Sequence, residues 1–120
     1  MSRILYIDDE SDIREVAQLS LELDPSLDVR TCGSGVEGIQ EALAWRPDLI
    51  LLDVMMPGMD GPTTFARLRE RPETASIPIV FITARTQAQE VAALKELGAR
   101  GILAKPFDPM GLAAEVRAFL

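Results

Sequence analysis

Histidine is missing from this chain altogether. Without an imidazole there is no Ser-His or Cys-His nucleophile pair, no zinc site of the usual kind, and no phosphohistidine carried by the chain itself. Cysteine occurs once, at Cys32, so no internal disulfide forms; a lone thiol in an apolar stretch reads as a small buried hydrophobe in a reducing compartment. Basic runs are absent too. Lys and Arg total 12 against 19 Asp and Glu, a net charge of −7, which argues against direct nucleic-acid binding through phosphate neutralisation. No apolar run approaches the roughly 20 residues that cross a bilayer. Only Ile4-Leu5-Tyr6-Ile7 stand between Met1-Ser2-Arg3 and Asp8, too few for a signal peptide. The absences point to a cytoplasmic protein with no membrane contact, whose chemistry rests on carboxylates, hydroxyls and lysine.

What is present is one domain's worth of ordinary globular sequence: 120 residues, 48% hydrophobic and 26% charged, with no repeat, linker or low-complexity tract. Its centre is the stretch from Pro47 to Gly61. Leu49-Ile50-Leu51-Leu52 is too short for a span and too uniform for a half-exposed strand, so it reads as a strand buried on both faces, ending in Asp53. Pro57-Gly58 then supplies a type II turn, Pro presetting φ and Gly permitting φ > 0.

Further strands are expected over residues 3–7, 27–32, 77–82 and 101–104. Helical spacing places Ile13, Val16, Ala17, Ser20 and Leu21 on one face of a first helix, stopped by Leu23-Asp24-Pro25. Ser34-Gly35-Val36-Glu37 has the form of a capping box opening a second, with Trp45 covering its apolar face. A third runs from Pro62 to about Arg71 with Phe65, Ala66 and Leu68 inward. A fourth is capped within Thr86–Gln89, carries Val91, Leu94 and Leu97, and stops at Gly98; a fifth is capped by Asp108. Five strands alternating with five helices predict an α/β parallel sheet covered on both faces. Outward charges (Glu90, Lys95, Glu96, Arg100, Glu115, Arg117) without a large apolar patch predict a monomer or weak dimer.

In a parallel sheet all strands end on one side, where ligands sit. The strand ends here are Asp8-Asp9, Asp53, Thr83 and Lys105. Clustered carboxylates in a partly dry pocket repel one another and call for a cation; hard oxygen donors with room for water suit Mg²⁺. Acids beside a lysine and a threonine suit phosphoryl transfer, with Asp53, on the most buried strand, as nucleophile and Asp8-Asp9 on a looser tip.

Over essentially its whole length the chain resembles a response-regulator receiver domain of two-component signalling. The resemblance is carried by Asp8-Asp9, by Leu51-Leu52-Asp53-Val54-Met55-Met56-Pro57-Gly58-Met59-Asp60-Gly61, by Thr83-Ala84 and by Lys105-Pro106-Phe107. It implies a flavodoxin-like (βα)5 fold with strand order 2-1-3-4-5, residues 1–120 forming a single receiver without an effector domain. It implies a signalling module rather than an enzyme, with Asp53 accepting a phosphoryl group from a sensor histidine kinase or histidine phosphotransfer protein. Mg²⁺, or Mn²⁺ in its place, would be held by Asp8, Asp9, Asp53 and the Met55 carbonyl, with Lys105 on the phosphoryl oxygens after a cis Lys105-Pro106 bond. Thr83 would swing toward the phosphoryl group and signal to a downstream protein target through the fourth helix, fifth strand and fifth helix.

Three residues qualify this. Many receivers carry Tyr or Phe where this chain has Ile102, which has no hydroxyl and no ring, so the output change is expected to be weaker or differently routed than the usual threonine–aromatic coupling. Met55 and Arg85 fall at positions that border the path of the hydrolytic water in the family, and an apolar Met55 predicts a long-lived phosphoryl group. Competing readings are a degenerate receiver that only binds protein, an aspartyl-nucleophile phosphatase or phosphomutase, and a flavin-binding module. The phosphatase lacks an Asp-x-Asp pattern and length for a cap; the flavin module lacks a phosphate loop, since Asp-Asp-Glu-Ser repels phosphate.

Overall fold

The computed structural model describes residues 1–120. The elements alternate strictly: β1 (Ser2–Ile7), α1 (Ser11–Glu22), β2 (Leu27–Cys32), α2 (Gly35–Trp45), β3 (Leu49–Asp53), α3 (Gly61–Glu70), β4 (Ile79–Thr83), α4 (Ala88–Glu96), β5 (Gly101–Ala104) and α5 (Leu112–Arg117). The five strands form one sheet in the order β2-β1-β3-β4-β5, all pairs parallel. This is the flavodoxin-like receiver arrangement, and β1 and β3 meet at its topological switch point.

Side chains of successive strand residues point to opposite faces, so each central strand feeds two cores. Leu5, Ile7, Ile50, Leu52, Ile79 and Phe81 pack under α2, α3 and α4, through residues such as Ile39, Phe65, Leu68 and Leu94. Ile4, Tyr6, Leu49, Leu51, Val80 and Ile82 pack under α1 and α5, through Ala17, Leu21, Leu112 and Val116. All of β3 and β4 is buried, which makes the rim they end on rigid.

Helix ends follow local chemistry where the cap is made. Ser34 Oγ accepts from the Glu37 N–H at 3.1 Å and Asp60 Oδ1 from the Thr63 N–H at 2.8 Å, opening α2 and α3. Gly98, at φ +107°, ends α4 in the left-handed region that a side chain would resist. Trp45 is buried, with the guanidiniums of Arg3 and Arg30 over its ring at 5.6 and 4.6 Å. Cys32 is buried, and burial first, then the charges of Glu41 and Glu37, push its thiol up to about 11.

Several expected details differ. Val16, Ala66 and Leu97 face solvent; Thr64 takes the inward place in α3, its hydroxyl satisfied by the Asp60 carbonyl at 2.8 Å. Leu94 is then the one buried residue of α4. Gln87 occupies the N-cap of α4 without a side-chain cap bond. Asp108 does not cap α5: its carboxylate accepts from the Met110 N–H at 3.1 Å, closing a local turn, and α5 begins only at Leu112. No helix is long and apolar enough to cross a membrane.

Leu51 lies between Tyr6 and Val80 with no exposure. Leu51→Ala leaves a cavity in the sheet's centre and is expected to lower stability by about 2–5 kcal/mol in urea unfolding, without changing the folded circular dichroism.

Candidate functional site

Because β1 and β3 are parallel neighbours, Asp8, just past the end of β1, and Asp53, the last residue of β3, arrive side by side. One carboxylate oxygen from each of Asp8, Asp9 and Asp53 lies within 4.8 Å of the others, a donor set able to hold a metal ion. Ligand bonds of about 2.1 Å place neighbouring oxygens roughly 3–4 Å apart, so small side-chain adjustments suit a hard octahedral cation that keeps some of its water.

Asp8 is not on a loose tip, as the sequence suggested: it is fully buried and the most firmly held of the acids. Its Oδ1 accepts from the Glu10 N–H at 3.0 Å and its Oδ2 from the Tyr6 hydroxyl at 3.1 Å and Lys105 Nζ at 2.9 Å. Arg14 donates to the Asp8 carbonyl at 2.8 Å. Asp9, by contrast, is exposed. Burial first, then the Asp8 charge, raise the Tyr6 hydroxyl's pKa well above its ordinary value, so this donor stays protonated.

Lys105 comes from the end of β5, after which the Lys105-Pro106 bond is cis, as expected. Its ammonium spans the acids: besides Asp8, it reaches Asp53 Oδ2 at 3.4 Å and Glu10 Oε1 at 3.4 Å. Burial opposes its charge, but the Asp8 hydrogen bond and the negative charges of Asp53 and Asp8 outweigh that and raise its pKa. Asp53, only 5% exposed, is pushed up to about 6: burial is the main cause, the Asp8 charge adds to it, and Lys105 partly offsets both.

Gly61 brings α3 close to this acid. Its N–H donates to the Val54 carbonyl at 2.9 Å, and a Cβ there would collide with the Asp53 carbonyl. Gly58, at φ +73°, makes the turn expected after Pro57.

Thr83 is buried at the end of β4 but does not join the acids. Its Oγ1 accepts from the Arg85 N–H at 2.9 Å and lies 3.4 Å from the Arg85 carbonyl. It lines a neighbouring cavity of about 670 Å³ with Val54, Met55, Arg85 and Glu90. Met55 is 60% exposed at that cavity's edge. The arrangement thus joins Asp8, Asp9, Asp53 and Lys105, and leaves the Thr83 hydroxyl turned to the Arg85 backbone. Tyr6, Glu10 and Arg14 were missed by sequence reasoning; Tyr6 was findable, since residues two apart on a strand share a face.

The fold and site are those of a doubly wound parallel sheet with an acidic, metal-capable pocket at its switch point and a lysine across it. Comparison with known proteins gives the family. The sequence profile described as "Response regulator receiver domain" matches residues 4–117. The transcriptional regulator RpaA of Synechocystis sp. is 41% identical over the whole chain, which covers 49% of that protein; the transcriptional regulatory protein CseB of Streptomyces coelicolor is 37% identical over 99% of the chain and 49% of its own length. The chain therefore spans about half the length of the curated relatives it matches. Among solved structures, the chemotaxis protein CheY4 of Vibrio cholerae superposes with a TM-score of 0.91 at 32% identity, covering 100% of this chain and 99% of that one. The beryllofluoride-activated DrrB receiver domain superposes with a TM-score of 0.82 at 28% identity, covering 99% and 97%. The chain belongs to the response regulator receiver family.

The raised pKa of Asp53 has a sign. Its folded value, about 6, exceeds the ordinary 3.8, so ionisation costs the fold stability as pH rises from about 4 through 6. Asp53→Asn is expected to be more stable than the unsubstituted protein at pH 7–8 in chelator, by about 1–3 kcal/mol after allowing for the lost Lys105 contact, and the advantage should vanish near pH 4. Parallel urea titrations at both pH values measure it.

Proposed function

We propose that this chain is the phosphoacceptor of a two-component relay, with Asp53 taking a phosphoryl group from the phosphohistidine of a sensor histidine kinase or histidine phosphotransfer protein. The observation that carries the reading is the Lys105 ammonium bridging Asp8 and Asp53 beside the three-carboxylate cluster. Three carboxylates set around a single ammonium have little structural use, whereas a phosphoryl group arriving on Asp53 adds negative oxygens that Lys105 already faces.

With a pKa of about 6, Asp53 is mostly ionised near neutrality yet poorly solvated, the state of a carboxylate nucleophile. Its oxygen forms the new bond to phosphorus as the donor's P–N bond breaks, and the donor imidazole leaves with a proton. Lys105 stays within reach of both the carboxylate and the incoming oxygens, and Tyr6 and the Glu10 N–H keep Asp8 from moving. Asp8, Asp9 and Asp53, with the Met55 carbonyl, are the residues to hold Mg²⁺, or Mn²⁺ in its place, which supplies positive charge against the acids and the phosphoryl oxygens. Thr83 is the hydroxyl to turn toward the modified acid. Residues 1–120 serve as the receiver unit, and the output belongs to a downstream target. For relatives such as RpaA the name itself says DNA binding, and an output of that kind would be carried outside this acidic unit.

Ile102 stands half-buried against the core under α2–α4, where an aromatic ring would otherwise exchange between buried and exposed positions. Coupling from Thr83 to the α4–β5–α5 surface therefore runs without that ring.

Beryllofluoride with Mg²⁺ mimics the acyl phosphate. The expected outcome is Mg²⁺-dependent binding seen as amide NMR shifts around residues 53–61, 83–86 and 105, lost in Asp53→Asn. If the unsubstituted protein gives no such signal, the phosphoacceptor reading fails and a purely protein-binding receiver remains. Met55→Asn adds a polar group able to orient water and is expected to shorten the phosphoryl half-life several-fold; an unchanged half-life would remove Met55 from the account.

A further inference from the structure

Only one buried side-chain oxygen or nitrogen in the molecule lacks a hydrogen-bond partner: Glu90 Oε2. The sequence placed Glu90 among outward charges, yet it sits in the first turn of α4 and lines the cavity beside Thr83. Leaving a carboxylate oxygen dry and unpaired is costly, so such an atom invites a cation. The other acid on the cavity wall, Asp60, is already engaged as the N-cap of α3. The one cation on that wall is Arg85, whose side chain is exposed and takes part in none of the molecule's ion pairs.

Arg85 is kept where it is by Thr83. The bond from the Arg85 N–H to Thr83 Oγ1, at 2.9 Å, closes a short turn directly after β4. A hydroxyl that swings to a phosphoryl oxygen on Asp53 withdraws this acceptor, and the turn at residues 84–87 is then free to move. Side-chain restraint on that end of α4 is light, since Gln87 makes no side-chain cap bond and Leu94 is the helix's one buried residue.

We infer that Arg85 and Glu90 form a latch: when Thr83 turns to the modified Asp53, Arg85 is released and its guanidinium pairs with the stranded Glu90 carboxylate across the cavity. This rests on the phosphoacceptor reading and supplies the regulation of that site. The pair binds the β4–α4 turn to α4 in the active state only, and so carries the signal to α4 where Ile102 offers no aromatic ring. A partly dry ion pair with two hydrogen-bonding groups is stronger than one at the open surface. Because it forms only in one state, it shifts the equilibrium toward that state by its full interaction energy.

The test is a double-mutant cycle on Mg²⁺-dependent beryllofluoride binding, an equilibrium that does not involve attack by water. R85Q and E90Q are each expected to weaken apparent affinity about fivefold, and the double substitution no further than either alone. The swap R85E with E90R should recover most of the loss; without beryllofluoride, thermal unfolding of R85Q should change little, since the pair is absent there, and E90Q, relieved of a buried unpaired charge, should be no less stable than the unsubstituted protein. Additive losses, or no loss in either single variant, overturn the latch while leaving the phosphoacceptor reading intact. Failure of the unsubstituted protein to bind beryllofluoride overturns both.

Discussion

The interaction on which the rest depends is the Lys105 ammonium set among acids. Without it, Asp8 is a buried carboxylate with only neutral donors, Tyr6 and the Glu10 N–H, beside a second buried carboxylate at Asp53. Burial, with repulsion from Asp8 added to it, keeps Asp53 above the ordinary carboxylate range, and Lys105 offsets the two only in part. The pocket is therefore under-neutralised, and that residual negative potential is what prepares it for cationic ligands and for a phosphoryl group arriving with them.

The fold makes that imbalance possible. Carboxylates on mobile loops would move apart; here Asp53 closes a strand buried on both faces and Asp8 directly follows another, paired side by side. Gly61 lets α3 press onto the Asp53 backbone, so the chain after the acid cannot drift outward. Rigidity is not shared evenly. On the α4 side, Leu94 is the helix's one buried residue and its N-cap makes no side-chain bond, so the domain combines a fixed site with one element able to respond to it.

The sheet was readable in the sequence because strands buried on both faces need unbroken apolar runs, and the site was readable because parallel strands deliver their tips to one edge. Helix faces were harder. Ala66 and Val16 fit an inward spacing, but small or branched residues tolerate either side, and only packing decided against them. Asp108 looked like a cap, yet its carboxylate closes a turn on the Met110 N–H before the helix starts. The burial of Asp8 was hidden because its partners, Tyr6 and Lys105, lie on two strands, and the orientation of Thr83 was hidden because its partner is a backbone amide in a loop. Glu90 read as a surface charge because spacing cannot reveal a cavity.

The charge imbalance is most directly tested by counting protons when Mg²⁺ binds. Calorimetric titrations at one pH in buffers of different ionisation enthalpy give that count. If Asp53 titrates near 6 because of burial and Asp8, binding at pH 6 should release about half a proton and binding at pH 8 almost none. Binding that releases no proton at pH 6 would mean that Asp53 is already fully ionised, and the account of an under-neutralised acceptor site would be wrong.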